Sequence, residues 1–418
     1  MKRLLIRDIA LLVGVHPEGT NVLRGSAMAA LPVLHNAWLL CADALISDFG
    51  TMDTLPVVDN SDTDTISAAG GSVFPSWCDS HSHIVFAASR EEEFVMKIKG
   101  MSYEDIATGG GGILNSAAKL QETSAQELFD TAWQRMQDMI MQGTGALEIK
   151  SGYGLTLESE LKMLRVIKKL KEKAPIPVKA TLLAAHAYPT AFKHDHDGYL
   201  SMIMDKLLPI VNQEGLADYF DVFCEKGFFS VEETDRLLHA AARYGLKPKI
   251  HANQLSISGG VEIALKHKAI SVDHLEATDA NVIDSMANHA TIATLLPSCS
   301  LFLRIPYANA RGLINADIPV ALASDYNPGS TPSGNMNLVV SLACVNLRML
   351  PEEAINAATL NGAAAMELGN EMGSITRGKM ANVFITRPIP SLAFLPYSFG
   401  QSQITTIVLN GTIYDQKL

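Results

Sequence analysis

The chain has 418 residues, 48% of them apolar and 18% charged, with a mean hydropathy of +0.14, which supplies a large core and excludes an extended disordered chain. A formal charge of −11 without a basic run argues against a nucleic-acid partner, and no stretch reaches the ~18 uninterrupted apolar residues of a membrane span. The five cysteines (Cys41, Cys78, Cys224, Cys299, Cys344) are odd in number and far apart, as expected of reduced thiols in a cytoplasmic protein.

The opening MKRLLIRDIALLVGV mimics a short signal peptide, but Arg7-Asp8 interrupts its apolar run and no small-residue cleavage site follows; it reads as a first strand. The rest of residues 1–70 holds short strand-like pieces and the turn-rich DNSDTDT (59–65). Apolar β-prone runs then recur at 73–79, 145–150, 178–185, 219–224, 248–252, 270–274, 291–296 and 319–324. Helical patterns separate most of them. Ser124 and Glu127 form a capping-box pair ahead of Phe129, Trp133, Met136 and Ile140; Leu161, Leu164, Ile167 and Leu170 make a second apolar stripe that ends in the solvated KKLKEK; Ser230 and Glu233 cap a third helix. Near-continuous apolar strands alternating with amphipathic helices predict an α/β fold, a closed (β/α)8 TIM-like barrel over 71–370, with a doubly wound open sheet as the competitor. In 371–418, MANVFIT and ITTIVLNGTIY, the latter with an Asn410-Gly411 turn, resemble the first 70 residues. Both ends are therefore expected to pair into a small β-sandwich domain beside the barrel.

Polar residues gather just after the predicted strands: His81 and His83, then Tyr153, His186, Glu225, His251, His274 and finally Asp325. In a barrel all these ends open on one face, where active sites are built. One histidine at a strand end is more often a hydrogen-bonded side chain than a ligand, but five with an aspartate form a constellation. The other histidines serve as a control: His16, His35, His239, His267 and His289 fall in loops or helices, and His194 and His196 lie in the polar stretch FKHDHDG with no strand leading in. Residues two apart in a strand face the same side, so His81 and His83 can grip one cation, with His251 as a third nitrogen and Asp325 as an oxygen. Three imidazoles and a carboxylate suit one Zn2+ or iron ion with water in an open position.

CDSHSHIVFAASREEEF (78–94), SYEDIATGGGGI (102–113), EIKSGYGLTLESELKMLRV (148–166), AAHAYP (184–189), DVFCEKGFFSVEE (221–233), KIHANQLSISGG (249–260), VDHLEATD (272–279) and ALASDYNPGSTP (321–332) together resemble the amidohydrolase superfamily of metal-dependent barrels, and within it the imidazolonepropionase family. The likeness runs from about residue 70 to 370, with a weaker echo in GSITRGKMANVFI (373–385). It implies hydrolytic opening of the lactam ring of 4-imidazolone-5-propanoate to N-formimidoyl-L-glutamate, metal ligation by His81, His83, His251 and Asp325, and a homodimer. By position, the family's substrate contacts fall on Arg90, Tyr153, His186, Gln254, Asn327, Gly329 and Ser330. The family's usual Pro and Thr beside the histidine pair are Ser80 and Ser82 here, its usual Asp in HADQ is Asn253, and its usual Thr in NPGT is Ser330.

The chemistry assigns His274 as proton shuttle, with Asp325 as ligand and alternative proton acceptor; the competing role for His274 is to hold a metal ligand in orientation by a hydrogen bond. Arg90 would hold the propanoate bidentately, the alternative being an ion pair within Glu91–Glu93. Gln254 offers an amide that both donates to and accepts from the ring. Gly109–Gly112 lack the strand and Lys-Ser/Thr of a phosphate cradle and read as a mobile active-site loop. A deaminase acting on a related heterocycle is the nearest rival; such enzymes usually place a titratable Glu where Gln254 stands. A binuclear site would draw on Glu225, but no lysine stands there for carbamylation. A non-enzymatic barrel would not need every ligand position filled.

Overall fold

In the computed structural model, which describes residues 3–57, 61–101, 111–399 and 401–415, the strands fall into two sheets. The first is the barrel, eight parallel strands in sequence order: β6 (Trp77–Asp79), β7 (Thr144–Lys150), β8 (Val178–Ala185), β9 (Tyr219–Cys224), β10 (Lys247–Ala252), β11 (Ser271–His274), β12 (Ile292–Leu295) and β13 (Val320–Leu322). The ring closes just past the first and last strands. Asp325 donates its N–H to the His81 carbonyl (3.0 Å), and His83 donates to that of Tyr326 (2.9 Å). This closure joins both ends of the predicted metal set through backbone alone.

Every residue of β7 and β9 is buried, as strands covered on both faces require. The helices supply the outer cover. Leu161, Leu164, Ile167 and Leu170 all face the barrel from the helix Leu157–Lys173, whose Thr156 side chain accepts the Ser159 N–H. Burying each such side chain contributes roughly 1.5–3 kcal/mol. The helix Ala125–Met141 is capped by Ser124, and Val231–Ala242 has both halves of the Ser230/Glu233 box. Behind β6 packs the short helix Leu360–Ala364, where a Cβ on Gly362 would lie 2.2 Å from the Cys78 carbonyl oxygen. Only glycine permits that approach, and it backs the strand that carries His81.

The second sheet comes from both chain ends, in the order β16 (Thr412–Ile413), β15 (Ile404–Leu409), β14 (Val383–Thr386), β5 (Ser72–Pro75), β1 (Arg3–Val13), β2 (Val33–Ala42), β3 (Leu45–Thr51), with β4 (Thr63–Ser67) also on β1. Strand β1 changes register between Ile6 and Ile9, where Asp8 adopts φ +58°, so one half pairs with β4 and the other with β5. The expected single strand 73–79 is divided: Ser72–Pro75 pairs with β14 and β1, and only Trp77–Asp79 enters the barrel. Ser76 still donates to the Asn382 carbonyl (3.0 Å) beside β14, and Trp77 donates to the Gly143 carbonyl (2.9 Å) just ahead of β7, so the chain changes sheets between these two residues, directly after Pro75. Residues 102–110 lie outside the described residues, and with them half of the glycine run; Gly111 caps the helix Gly112–Glu122. No helix among the described residues is long and apolar enough to cross a membrane.

Candidate active site

The ends of the barrel strands open into one cavity of about 580 Å³. His83, Arg90, Tyr153, His186, His251, Gln254, His274, Asp325, Asn327, Gly329 and Ser330 all line it. His81 lies beneath, fully buried. The remaining histidines stay apart: His16 meets Asn356, His196 meets Glu233, and His267 meets Asp235.

His81 is fixed from below. Its Nδ1 is 2.6 Å from Asp273 Oδ2, so Nδ1 carries the proton and the Nε2 lone pair faces upward. That nitrogen stands 3.3 Å from His83 Nε2 and 3.5 Å from Asp325 Oδ1, and His83 Nε2 lies 3.6 Å from the same oxygen. Three groups able to donate electron pairs face one another at distances that could hold a cation between them. His251 approaches with its ring centroid 4.5 Å from that of His81. Its Nδ1 is 2.9 Å from Asp221 Oδ2, yet neither ring nitrogen has a well-directed hydrogen bond, and His83 Nδ1 also lacks one. Buried imidazoles without such partners fit metal ligation, and three nitrogens with one carboxylate oxygen suit a divalent transition metal.

Electrostatics agree with that donor set. Burial, reinforced by Lys150 and the neighbouring imidazoles, holds His81, His83 and His251 well below the usual imidazole range, so they present lone pairs. Burial likewise takes His186 down to about 4. His274 differs: burial opposes its charge, but Glu276, whose Oε1 is 3.4 Å from Nδ1, together with Asp325 and Asp273, raises it above the usual value. Burial raises Asp325 to about 6, against hydrogen bonds from Asn327 and Ser330.

Several of these residues occupy left-handed backbone: Asn253 at φ +56°, His274 at +87°, Leu275 at +65° and Asp325 at +54°. Such conformations cost non-glycine residues of order 1 kcal/mol or more, and they turn the chain sharply at the strand ends to aim side chains into the cavity. Asn253 Oδ1 accepts from Ser258 N–H and Oγ, pinning the turn that presents Gln254. Ser82 donates to the Glu148 carbonyl (2.6 Å), so the hydroxyl at this family-divergent position ties β6 to β7.

Also lining the cavity, Arg90 donates through Nε to Ser116 Oγ (2.8 Å), places Nη1 beside Gly329, and makes a long ion pair with Glu93 at 3.9 Å, so the alternative expected for it is present alongside a guanidinium that reaches the cavity. Asn327 Oδ1 accepts from the N–H groups of Gly329 and Ser330, both at 2.8 Å. Glu225 accepts from the backbone of Leu255 and Ser256 and from the Ser256 hydroxyl; its oxygens are spent on a loop, away from the four candidate ligands. Gln254 donates to Cys299 Sγ at 3.4 Å.

Sequence reasoning missed Glu160, whose carboxylate accepts from Gly152, Gly154 and Leu155 and so shapes the loop bearing Tyr153. It also missed the apolar rim of Phe94, Phe223, Phe228 and Phe302. An acid six residues past a Gly-Tyr-Gly turn, in the first turn of a helix, is a readable signal for the first. Nothing local marks the rim.

Comparison with known proteins accords with this geometry. The amidohydrolase family model matches residues 72–414. The imidazolonepropionase of Christiangramia forsetii is 53% identical over 98% of this chain and 99% of its own, and that of Flavobacterium johnsoniae is 53% identical over 98% and 99%. The solved structure of atrazine chlorohydrolase from Arthrobacter aurescens, complexed with zinc, covers 98% of this chain and 94% of its own with a TM-score of 0.73 at 14% identity, a likeness of fold alone.

Proposed function

This chain belongs to the amidohydrolase family, and from that premise we propose that it acts as an imidazolonepropionase, hydrolysing the lactam C–N bond of 4-imidazolone-5-propanoate to N-formimidoyl-L-glutamate. The observation that supports the site reading is that His83, His251 and Asp325, packed against the buried His81, line the same cavity as Arg90. The ligands are His81, His83, His251 and Asp325, holding one Zn2+ or iron ion. When bound, the ion polarises the lactam carbonyl and brings water toward ionisation at neutral pH.

The chain's own residues do the rest. Arg90 receives the propanoate as a bidentate partner in a site whose apolar rim excludes water. Tyr153 and His186, with ring centroids 5.6 Å apart, flank the substrate ring. Gln254 meets its N–H and C=O edge, and Asn327, Gly329 and Ser330 shape the floor near the carboxylate. His274 takes the proton from the attacking water and returns it to the departing ring nitrogen, with Glu276 stabilising the imidazolium between the two transfers. Gln254 cannot titrate, which disfavours the deaminase alternative.

The barrel, expected over 71–370 but entered only at Trp77, carries the catalysis, and the segment before it, including Ser72–Pro75, joins 371–418 in the accessory β domain. Five free cysteines support a reducing, cytoplasmic setting, and the resemblance to the family supports a homodimer, which light scattering on the purified protein tests. The deciding experiment mixes zinc- or iron-loaded protein with 4-imidazolone-5-propanoate and follows the loss of its ultraviolet absorbance. Unchanged absorbance at stoichiometric metal loading rejects the substrate.

A further inference from the structure

Beneath the candidate ligands lies a layer of charge that the hydrolysis does not touch. Lys150, Lys249, Glu148, Asp221 and Asp273 are all fully buried. Taking such ions out of water costs several kcal/mol each, so their retention calls for a gain. Lys150 Nζ donates to Glu148 Oε1 (2.7 Å) and Asp221 Oδ2 (2.8 Å), and it stands 3.4 Å from Asp273 Oδ2. Lys249 Nζ contacts the other Glu148 oxygen and the Ser80 carbonyl (3.1 Å).

Two of the oxygens held by Lys150 are the same atoms that meet ligand rings. Asp273 Oδ2 lies 2.6 Å from His81 Nδ1, and Asp221 Oδ2 lies 2.9 Å from His251 Nδ1. Asp221 also accepts the His251 backbone N–H through Oδ1 (3.1 Å). These ligands come from β6 and β10, which are not neighbours in the barrel, and no backbone hydrogen bond sets one against the other. One ammonium does so instead.

We propose that Lys150 is a positioning residue of the metal centre: it fixes the Asp273 oxygen that sets the ring plane of His81 and the Asp221 carboxylate that anchors the His251 backbone N–H beside its ring, and so assembles half of the ligand set from the barrel floor. Without its charge, Asp221 and Asp273 face each other across low-dielectric space and rotate apart, and both imidazoles lose their aim. This rests on the assignment of His81, His83, His251 and Asp325 as ligands.

The test strips wild-type protein and Lys150→Met, then measures the zinc dissociation constant by competition with a chromogenic chelator and records the visible spectrum of the cobalt-substituted forms. Circular dichroism monitors the fold. The expected result is a folded Lys150→Met with zinc affinity about 10- to 100-fold weaker and shifted cobalt bands. Adding Asp273→Asn to it should cost little beyond either change alone, since both lie on one path. Lys249→Met is the comparison, equally buried but bonded to Glu148 and the Ser80 carbonyl instead of to Asp221 and Asp273; it should lower stability and, since it removes only positive charge, should not weaken zinc binding in the folded protein. Equal loss of affinity in the two lysine variants, or unchanged affinity and cobalt spectrum in Lys150→Met, overturns the proposal. Should Lys150→Met fail to fold, unchanged zinc affinity in both Asp221→Asn and Asp273→Asn overturns it, and a tenfold or greater loss in each supports it. A wild-type protein that binds no zinc or cobalt refutes the ligand assignment and, with it, this role for Lys150.

Discussion

Gly329→Ala tests the substrate anchor without touching it. A Cβ at Gly329 would lie 2.5 Å from Arg90 Nη1 and 3.1 Å from Cζ, whereas the next neighbour, Asn327 Oδ1, is at an ordinary 3.6 Å. The backbone there is outside the left-handed region, so alanine itself is unstrained. The guanidinium must therefore retreat by about 0.9 Å to regain ordinary contact, the difference between 3.4 and 2.5 Å. A charge-assisted hydrogen bond contributes about 1.5–3 kcal/mol, so misaligning one arm of a bidentate pair raises KM by roughly 10- to 100-fold. Turnover at saturation should change far less, because the reacting bond is remote from the anchor. Steady-state kinetics on protein of measured metal content, beside Arg90→Met, make the assay. Arg90→Met should lose both arms and suffer more. A KM for Gly329→Ala within twofold of wild type refutes the placement of the propanoate at Arg90.

Three further outcomes follow from named contacts. His274→Asn should lower kcat by about 10²–10⁴-fold while metal content stays at the wild-type level; loss of the ion would make His274 a ligand instead of a shuttle. Glu160→Gln should destabilise by about 1–3 kcal/mol in denaturant titration and raise KM through Tyr153, since an amide oxygen replaces the carboxylate that accepts from Gly152, Gly154 and Leu155; unchanged stability and KM together would discount the contact. In metal-free protein, burial holds Asp79 at about 7, above its unfolded value, against donations from Ser324 N–H and Oγ. Its contribution to stability is then full below the unfolded carboxyl range and is lost as pH rises through about 7. Asp79→Asn, neutral throughout, should flatten the fall in denaturation midpoint between about pH 4 and pH 7; an identical slope in both proteins would dismiss the assignment.

How much of this was legible in the sequence depends on which neighbours set each residue's environment. The strands after the first stand within two residues of their expected bounds because burial on both faces leaves an uninterrupted apolar signature. The first run misled because an apolar strand does not reveal which sheet it joins, and Pro75 is the sole local cue that the chain changes sheets. That His81, His83, His251 and Asp325 come together was readable since the barrel topology alone sends strand ends to one face. Lys150 and Lys249 were passed over as ends of apolar runs. Their signal was present in ALEIK and KIH, where charges alternate with apolar residues at the strand period and so point to the barrel interior. Recognising it requires knowing that opposite charges meet across β7, β9, β10 and β11, and such pairing between distant strands leaves no local trace.

The same buried layer bears on which ions the centre accepts. Glu148, Asp221 and Asp273 set three carboxylates against the ammoniums of Lys150 and Lys249, leaving one negative charge on the floor. Asp325 adds a second from the opposite side, and the three imidazoles are neutral. At rest His274, raised above the usual imidazole value, holds a proton that it must release before it can act as base, and in that state it balances Glu276. A divalent ion therefore brings the interior to neutrality, whereas a trivalent ion leaves a positive charge sealed in a low-dielectric site, costing several kcal/mol. Zn2+ and Fe2+ satisfy this condition equally, which is why the ligand set admits both. Reconstitution of stripped protein should recover activity with Zn2+ and with Fe2+ under anaerobic conditions, and Ga3+ should not be retained through gel filtration. Stoichiometric retention of Ga3+ would show that the floor carries more negative charge than these residues supply.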